Sequence, residues 1–125
     1  MPPTFTVLVV EDDHLIRRLL ETVLRENGYE VIAARDGLEA LERARSTGID
    51  LLLTDVVMPE LGGAELADRL TDLNPGLNVI FMSGYSEGLL SLRLEGSKRV
   101  LLEKPFPIPD LLERVRASLE KRQQW

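Results

Sequence analysis

Several short apolar runs in this 125-residue sequence end on residues able to do chemistry. Phe5 to Val10 is followed by Glu11, Asp12 and Asp13, and Leu51 to Thr54 by Asp55. Val79 to Met82 ends at Ser83, and Val100 to Leu102 at Glu103-Lys104-Pro105. Carboxylates gathered in one place repel and raise one another's pKa values. A hard divalent cation removes that cost, and all-oxygen ligation suits Mg²⁺, which usually keeps several waters. A Mg²⁺ held by a few carboxylates, beside a lysine and a hydroxyl, suits phosphoryl transfer. That reaction needs positioning and charge neutralisation more than covalent help. An aspartate can itself be the nucleophile, giving an acyl phosphate.

These groups meet only if the runs are parallel strands. Each run is short, continuous and β-branched or aliphatic, the pattern of a strand buried on both faces, and Val31 to Ala34 adds another. Between them the period changes to that of helices. Leu15, Ile16, Leu19, Leu20, Val23 and Leu24 recur at helical spacing, with a stop at Asn27-Gly28. Asp36 is placed to cap a helix carrying Leu38, Leu41 and Ala44 and ending near Gly48. Ala64, Leu66, Ala67 and Leu70 mark the next, which stops before Asn74-Pro75-Gly76. Glu87 to Leu94 is a weaker helix, since Gly88 and Gly96 lower its propensity. The last begins around Pro109 and carries Leu111, Leu112, Val115 and Leu119. Five strands alternating with five helices predict an α/β fold, a parallel sheet covered by helices on both faces. Ligands of such sheets bind beyond the carboxyl ends of the strands. The acids, Ser83 and Lys104 therefore converge on one edge.

Composition bounds the rest. The 44% apolar and 29% charged fractions are those of a soluble globular protein. The alternation consumes residues 1–125 as a single domain, leaving no linker, repeat or effector segment. No apolar run approaches the roughly 20 residues that span a bilayer, and Met-Pro-Pro-Thr does not open a secretory signal. The absence of Cys excludes disulfides and thiolate metal sites and fits a cytoplasmic protein. A net charge of −6 weighs against direct nucleic-acid binding.

Val-Leu-Val-Val-Glu-Asp-Asp, Leu-Leu-Leu-Thr-Asp-Val-Val-Met-Pro, Val-Ile-Phe-Met-Ser-Gly and Leu-Glu-Lys-Pro-Phe occur in this order. Over essentially its full length the sequence resembles the receiver domain of bacterial response regulators. The resemblance implies a flavodoxin-like doubly wound sheet in the order 2-1-3-4-5. It implies that Asp55 is the phosphoacceptor and that Asp12 and Asp13 hold Mg²⁺ together with Asp55 and the Val57 carbonyl. Lys104 would pair with the phosphoryl oxygens, with a cis bond to Pro105, and Ser83 would hydrogen-bond the phosphoryl group. Implied partners are a sensor histidine kinase or phosphotransfer protein and a downstream protein target. The latter would be met by the face of the fourth helix, fifth strand and fifth helix, with dimerisation on activation left open. The domain would catalyse only its own phosphorylation and dephosphorylation. Leu101 is a departure, because the family usually has Tyr or Phe three residues before the lysine. Switching would then rest on Ser83 and the loop after it, with Val57 and Tyr85 flanking the site.

Competing readings are weaker. A metal-dependent phosphohydrolase would want a second acid two residues after the nucleophile, where Val57 stands, and a cap over its substrate. A flavodoxin-like cofactor binder would bring an anionic phosphate against the acids. His14, the only histidine, reads as an exposed helix-start residue rather than a phosphorelay group, and Trp125 as a frayed end. Met-Ser-Gly-Tyr after the fourth strand resembles receivers of hybrid histidine kinases, so a kinase segment is the alternative to a free-standing regulator.

Overall fold

The computed structural model describes residues 4–84, 92–94 and 98–123. β1 (Thr6–Val10), β2 (Glu30–Ala34), β3 (Leu51–Asp55), β4 (Asn78–Ser83) and β5 (Arg99–Glu103) form one parallel sheet in the order β2-β1-β3-β4-β5. Helices α1 (His14–Glu26), α2 (Gly37–Ser46), α3 (Gly63–Leu73) and α4 (Ile108–Gln123) complete the described elements. This is the doubly wound sheet expected above.

Alternation along each strand divides the core in two. Leu8, Val10, Leu52, Val79 and Phe81 face α2 and α3, whose Ala40, Leu66, Ala67 and Leu70 complete that layer. Val7, Val9, Leu51, Leu53, Ile80 and Met82 face Leu20 and Leu24 of α1 and Leu111, Val115 and Leu119 of α4. Central strands buried on both sides explain why β3 and β4 read as unbroken apolar runs.

Helix ends follow the expected chemistry. Asp36 caps α2 by accepting the Glu39 N–H at 2.8 Å. The chain leaves α1 through Gly28 at φ 91°, a left-handed conformation that glycine adopts without strain. Two helical stripes are narrower than their apolar residues. Leu15, Ile16 and Leu19 stay exposed on α1, as does Leu38 on α2. At about 100° per residue, the six apolar positions of α1 sweep half the helix, more than the sheet can cover. The expected helix over 87–94 lies mostly outside the described residues. At its end Leu92 is fully buried, while Arg93, at φ 55°, and Leu94 are not helical.

Candidate functional site

Register assembles the site. Val10 pairs with Thr54, so the next residues, Glu11 and Asp55, stand side by side at the carboxyl edge. Asp55 pairs with Met82 and Ser83 with Glu103, which brings Ser83 and the following Lys104 to the same edge. The Glu11 N–H still reaches Ala34 O at 3.1 Å, extending the β1–β2 ladder one residue beyond the strand and turning Glu11 inward. Asp12, Asp55, Val57, Met82, Ser83, Gly84 and Lys104 line a cleft of about 140 Å³. The peptide bond from Lys104 to Pro105 is cis, as expected.

Glu11 is 1% exposed and Asp55 5% exposed, and both face one ammonium. Lys104 Nζ lies 2.8 Å from Glu11 Oε1 and 2.7 Å from Asp55 Oδ1. Asp55 Oδ1 is buried, and the Lys104 ammonium at 2.7 Å is what compensates it. Burial pushes the Asp55 carboxyl up, and the neighbouring Glu11 adds to this against the pull of Lys104, bringing it to about 8. Burial would also raise Glu11, but its hydrogen bonds with Asp55, Lys104 and the Asp13 N–H prevail and hold it near the bottom of the carboxylate range, at about 2. Physically this is a buried carboxylate pair that titrates as a unit beside one ammonium. Lys104 is desolvated, yet the two acids outweigh that effect and keep its pKa raised.

Carboxylate oxygens of Glu11, Asp12 and Asp55 lie within 4.8 Å of one another. Three close hard oxygens, one of them buried and short of donors, fit a hard divalent cation. Asp13 is not brought into this group. Its Oδ1 accepts the Leu15 and Ile16 N–H groups at 2.9 and 3.1 Å, capping α1. Among the described residues, the acids brought beside Asp55 are Glu11 and Asp12, so of the expected pair only Asp12 joins the group. An aspartate just ahead of a helical stretch is a common N-cap, and that was the signal available in the sequence. Val57 lines the cleft with an exposed side chain, and Tyr85 lies outside the described residues.

The loop after Asp55 is shaped by close backbone approach. The Gly63 N–H donates to Val56 O at 2.9 Å, and a Cβ at Gly63 would overlap the Asp55 carbonyl. At Gly84 an added Cβ would meet nothing within 4 Å, so bulk is not what requires that glycine. Leu101, where the resembling family usually carries an aromatic ring, packs against the α2–α3 side of the core. Arg17 donates to the Glu11 carbonyl at 2.9 Å, an anchoring contact that sequence reasoning did not single out.

The sequence pattern of the response regulator receiver domain matches residues 7–116. The response regulator receiver protein CpdR of Brucella abortus (strain 2308) is 37% identical over 114 residues, covering 90% of this chain and 95% of that protein. Sensor kinase CckA of the same strain is 38% identical over 94% of this chain, which spans only 13% of the kinase. Response regulator MprA of Mycobacterium ulcerans (strain Agy99) is 37% identical, and the chain spans 50% of its length. Among solved structures, the receiver domain of the hybrid histidine kinase CckA superposes with a TM-score of 0.77 at 37% identity, over 91% of this chain and 98% of that one. A CheY-like receiver domain protein of Methanospirillum hungatei JF-1 superposes with a TM-score of 0.90 at 28% identity, over 98% of both chains. Sheet order, acid-lined edge and sequence lead to one assignment: the chain belongs to the response regulator receiver domains, the phosphoacceptor modules of two-component signalling.

Proposed function

We propose that Asp55 is the phosphoacceptor and that Glu11, Asp12, Asp55 and the Val57 carbonyl hold Mg²⁺. The observation that carries this reading is the buried Asp55 carboxylate, paired with Lys104 at the floor of an acid-lined cleft. An Asp55 carboxylate oxygen attacks the phosphorus of a phosphohistidine on a kinase or phosphotransfer protein. The P–N bond breaks, the imidazole leaves with its electron pair, and an acyl phosphate remains. When bound, Mg²⁺ supplies the positive charge that offsets repulsion between the acids and the phosphoryl oxygens. Lys104 exchanges its contact with Asp55 for one with a phosphoryl oxygen, and the Ser83 hydroxyl donates to another. The domain turns over only its own phosphoryl group and works by changing which proteins it binds.

Exposed Leu15, Ile16 and Leu19 on α1, beside the cleft, offer an apolar surface to a protein donor. Among the described residues no helix is long and apolar enough to cross a membrane. Free-standing and kinase-fused relatives stand at 37% and 38% identity, and the same chemistry serves both contexts.

Intact mass after incubation with acetyl phosphate tests the assignment. One phosphoryl adduct, requiring Mg²⁺ and absent in Asp55→Asn, is expected. Leu15→Lys with Leu19→Lys should keep that adduct while slowing transfer from a phosphohistidine protein. An adduct that persists in Asp55→Asn would remove Asp55 from its role.

A further inference from the structure

Glu11 is tied at each of its polar groups. Its N–H donates to Ala34 O at 3.1 Å, its Oε1 faces Lys104 Nζ at 2.8 Å, and its Oε2 accepts the Asp13 N–H at 3.2 Å. The remaining group, the carbonyl, accepts Arg17 Nη1 at 2.9 Å. That carbonyl belongs to the peptide joining Glu11 to Asp12. A peptide is planar, so fixing its oxygen fixes the plane from which Asp12 departs. Asp12 itself is exposed, and its placement beside Asp55 depends on that backbone.

Arg17 stands one turn into α1, and the other arm of its guanidinium lies 3.2 Å from His14 Nδ1. Asp13 secures the start of that helix. Its Oδ1 caps the Leu15 and Ile16 N–H groups, and its carbonyl accepts the Arg17 N–H at 2.9 Å. The guanidinium is thus carried on a capped helix and reaches back over the turn to Glu11. Helix stability does not account for this residue. The first turn of α1 contains no acid, and a cation near a helix start opposes the macrodipole. Charge balance does not account for it either, because a cation beside the acids repels a second cation bound among them. What remains is geometry: a planar fork, with one arm on a carbonyl and the other on an imidazole, admits few arrangements.

We propose that Arg17 is a positioning residue for the metal centre: by holding the Glu11–Asp12 peptide it keeps both carboxylates at the spacing that Mg²⁺ requires. This deepens the Mg²⁺ reading of the cleft and rests on it. Arg17 acts only through the backbone it holds. Two effects of its guanidinium then have opposite signs. The charge weakens Mg²⁺ binding, while the hold on the peptide strengthens it. Salt separates them, because it screens charge and leaves geometry alone.

The test is calorimetric Mg²⁺ titration of the full chain as wild type, Arg17→Met and Arg17→Lys. Each is measured at low salt and at about 1 M salt, where the screening length is about 3 Å. Both replacements favour helix, so α1 is retained. At high salt Arg17→Met is expected to bind Mg²⁺ about tenfold more weakly than wild type. At low salt the deficit narrows, because a repelling charge has gone. Arg17→Lys, which keeps the charge without the fork, is expected to fall below Arg17→Met at low salt. In the metal-free protein, exchange of the Glu11 amide, bonded to Ala34 O, should quicken in both variants. Tighter binding by Arg17→Met at low salt that vanishes at high salt would make the residue a charge alone and overturn the proposal. Unchanged affinity with a lower urea midpoint would make it a structural contact and overturn it as well. So would an Arg17→Lys that matches wild type at both salts. A wild type that takes up no Mg²⁺ overturns the reading of the cleft and the proposal with it, an outcome visible before any variant is compared.

Discussion

Glu11 and Asp55, both nearly buried, share one ammonium, and this imbalance sets how the site responds to metal and to pH. Glu11→Gln or Asp12→Asn is expected to weaken Mg²⁺ about tenfold or more. Asp13→Ala should leave Mg²⁺ affinity unchanged while lowering stability by about 1 kcal/mol through loss of the α1 cap. Paired Mg²⁺ titrations and urea unfolding separate the two, and the opposite pattern would return Asp13 to the ligand set. With the Asp55 carboxyl pushed up to about 8 by burial and by Glu11, a Mg²⁺ bound there would compete with a proton. Below that pH, affinity should climb with pH by up to about tenfold per unit, then level off. A flat profile between pH 6 and 9 would mean that Asp55 is ionised throughout. The linked stability effects oppose each other. Asp55, raised from 3.8, withdraws stability from the metal-free fold as pH rises towards 8. Glu11, lowered from 4.5, contributes stability above its unfolded value that is lost as pH falls through about 2.

At the scale of elements, the loop from β3 to α3 is tightly constrained. Glu60 sits at φ 66° while Leu61 N–H closes onto Pro59 O at 2.8 Å, a tight turn that a side chain opposes. Glu60→Gly is expected to stabilise by about 0.5–1 kcal/mol. Gly63→Ala should destabilise by about 1–3 kcal/mol and impair phosphoryl uptake, because relieving the overlap displaces Asp55. Urea midpoints and intact mass check both. Unchanged midpoint and adduct in Gly63→Ala would mean that the loop yields freely. The strands were legible in the sequence, since apolar runs bounded by acids and turn residues leave little choice, and β1 to β5 differ from expectation only at their ends. The exposed half of α1 was not legible. Periodicity marks which residues are apolar, not how wide a helix face the sheet can cover. The Glu11-Asp12-Asp13 run was ambiguous by one position for a related reason. Three like residues at a strand end hide the point where strand alternation gives way to helix capping.

At the scale of the whole molecule, alternation of elements dictated a parallel sheet, while the order of its strands came with the family resemblance. Convergence of Asp55, Ser83 and Lys104 then followed from strand polarity alone, which is why so much of the site could be anticipated. That order also has a consequence in time. β1 lies between β2 and β3, so the pairings that bring Glu11 beside Asp55 are complete within the first 55 residues of the chain. Lys104 meets Glu11 across a separation of 93 residues, a closure whose entropy is recovered late. The strands that carry the buried acids can therefore pair before their counter-ion arrives, and until Lys104 docks the pair must either keep a proton or repel. Neutralising one acid, as in Asp55→Asn, should accelerate folding in stopped-flow mixing more than it slows unfolding. Equal movement of both kinetic arms would instead mean that the lysine docks before the barrier is crossed.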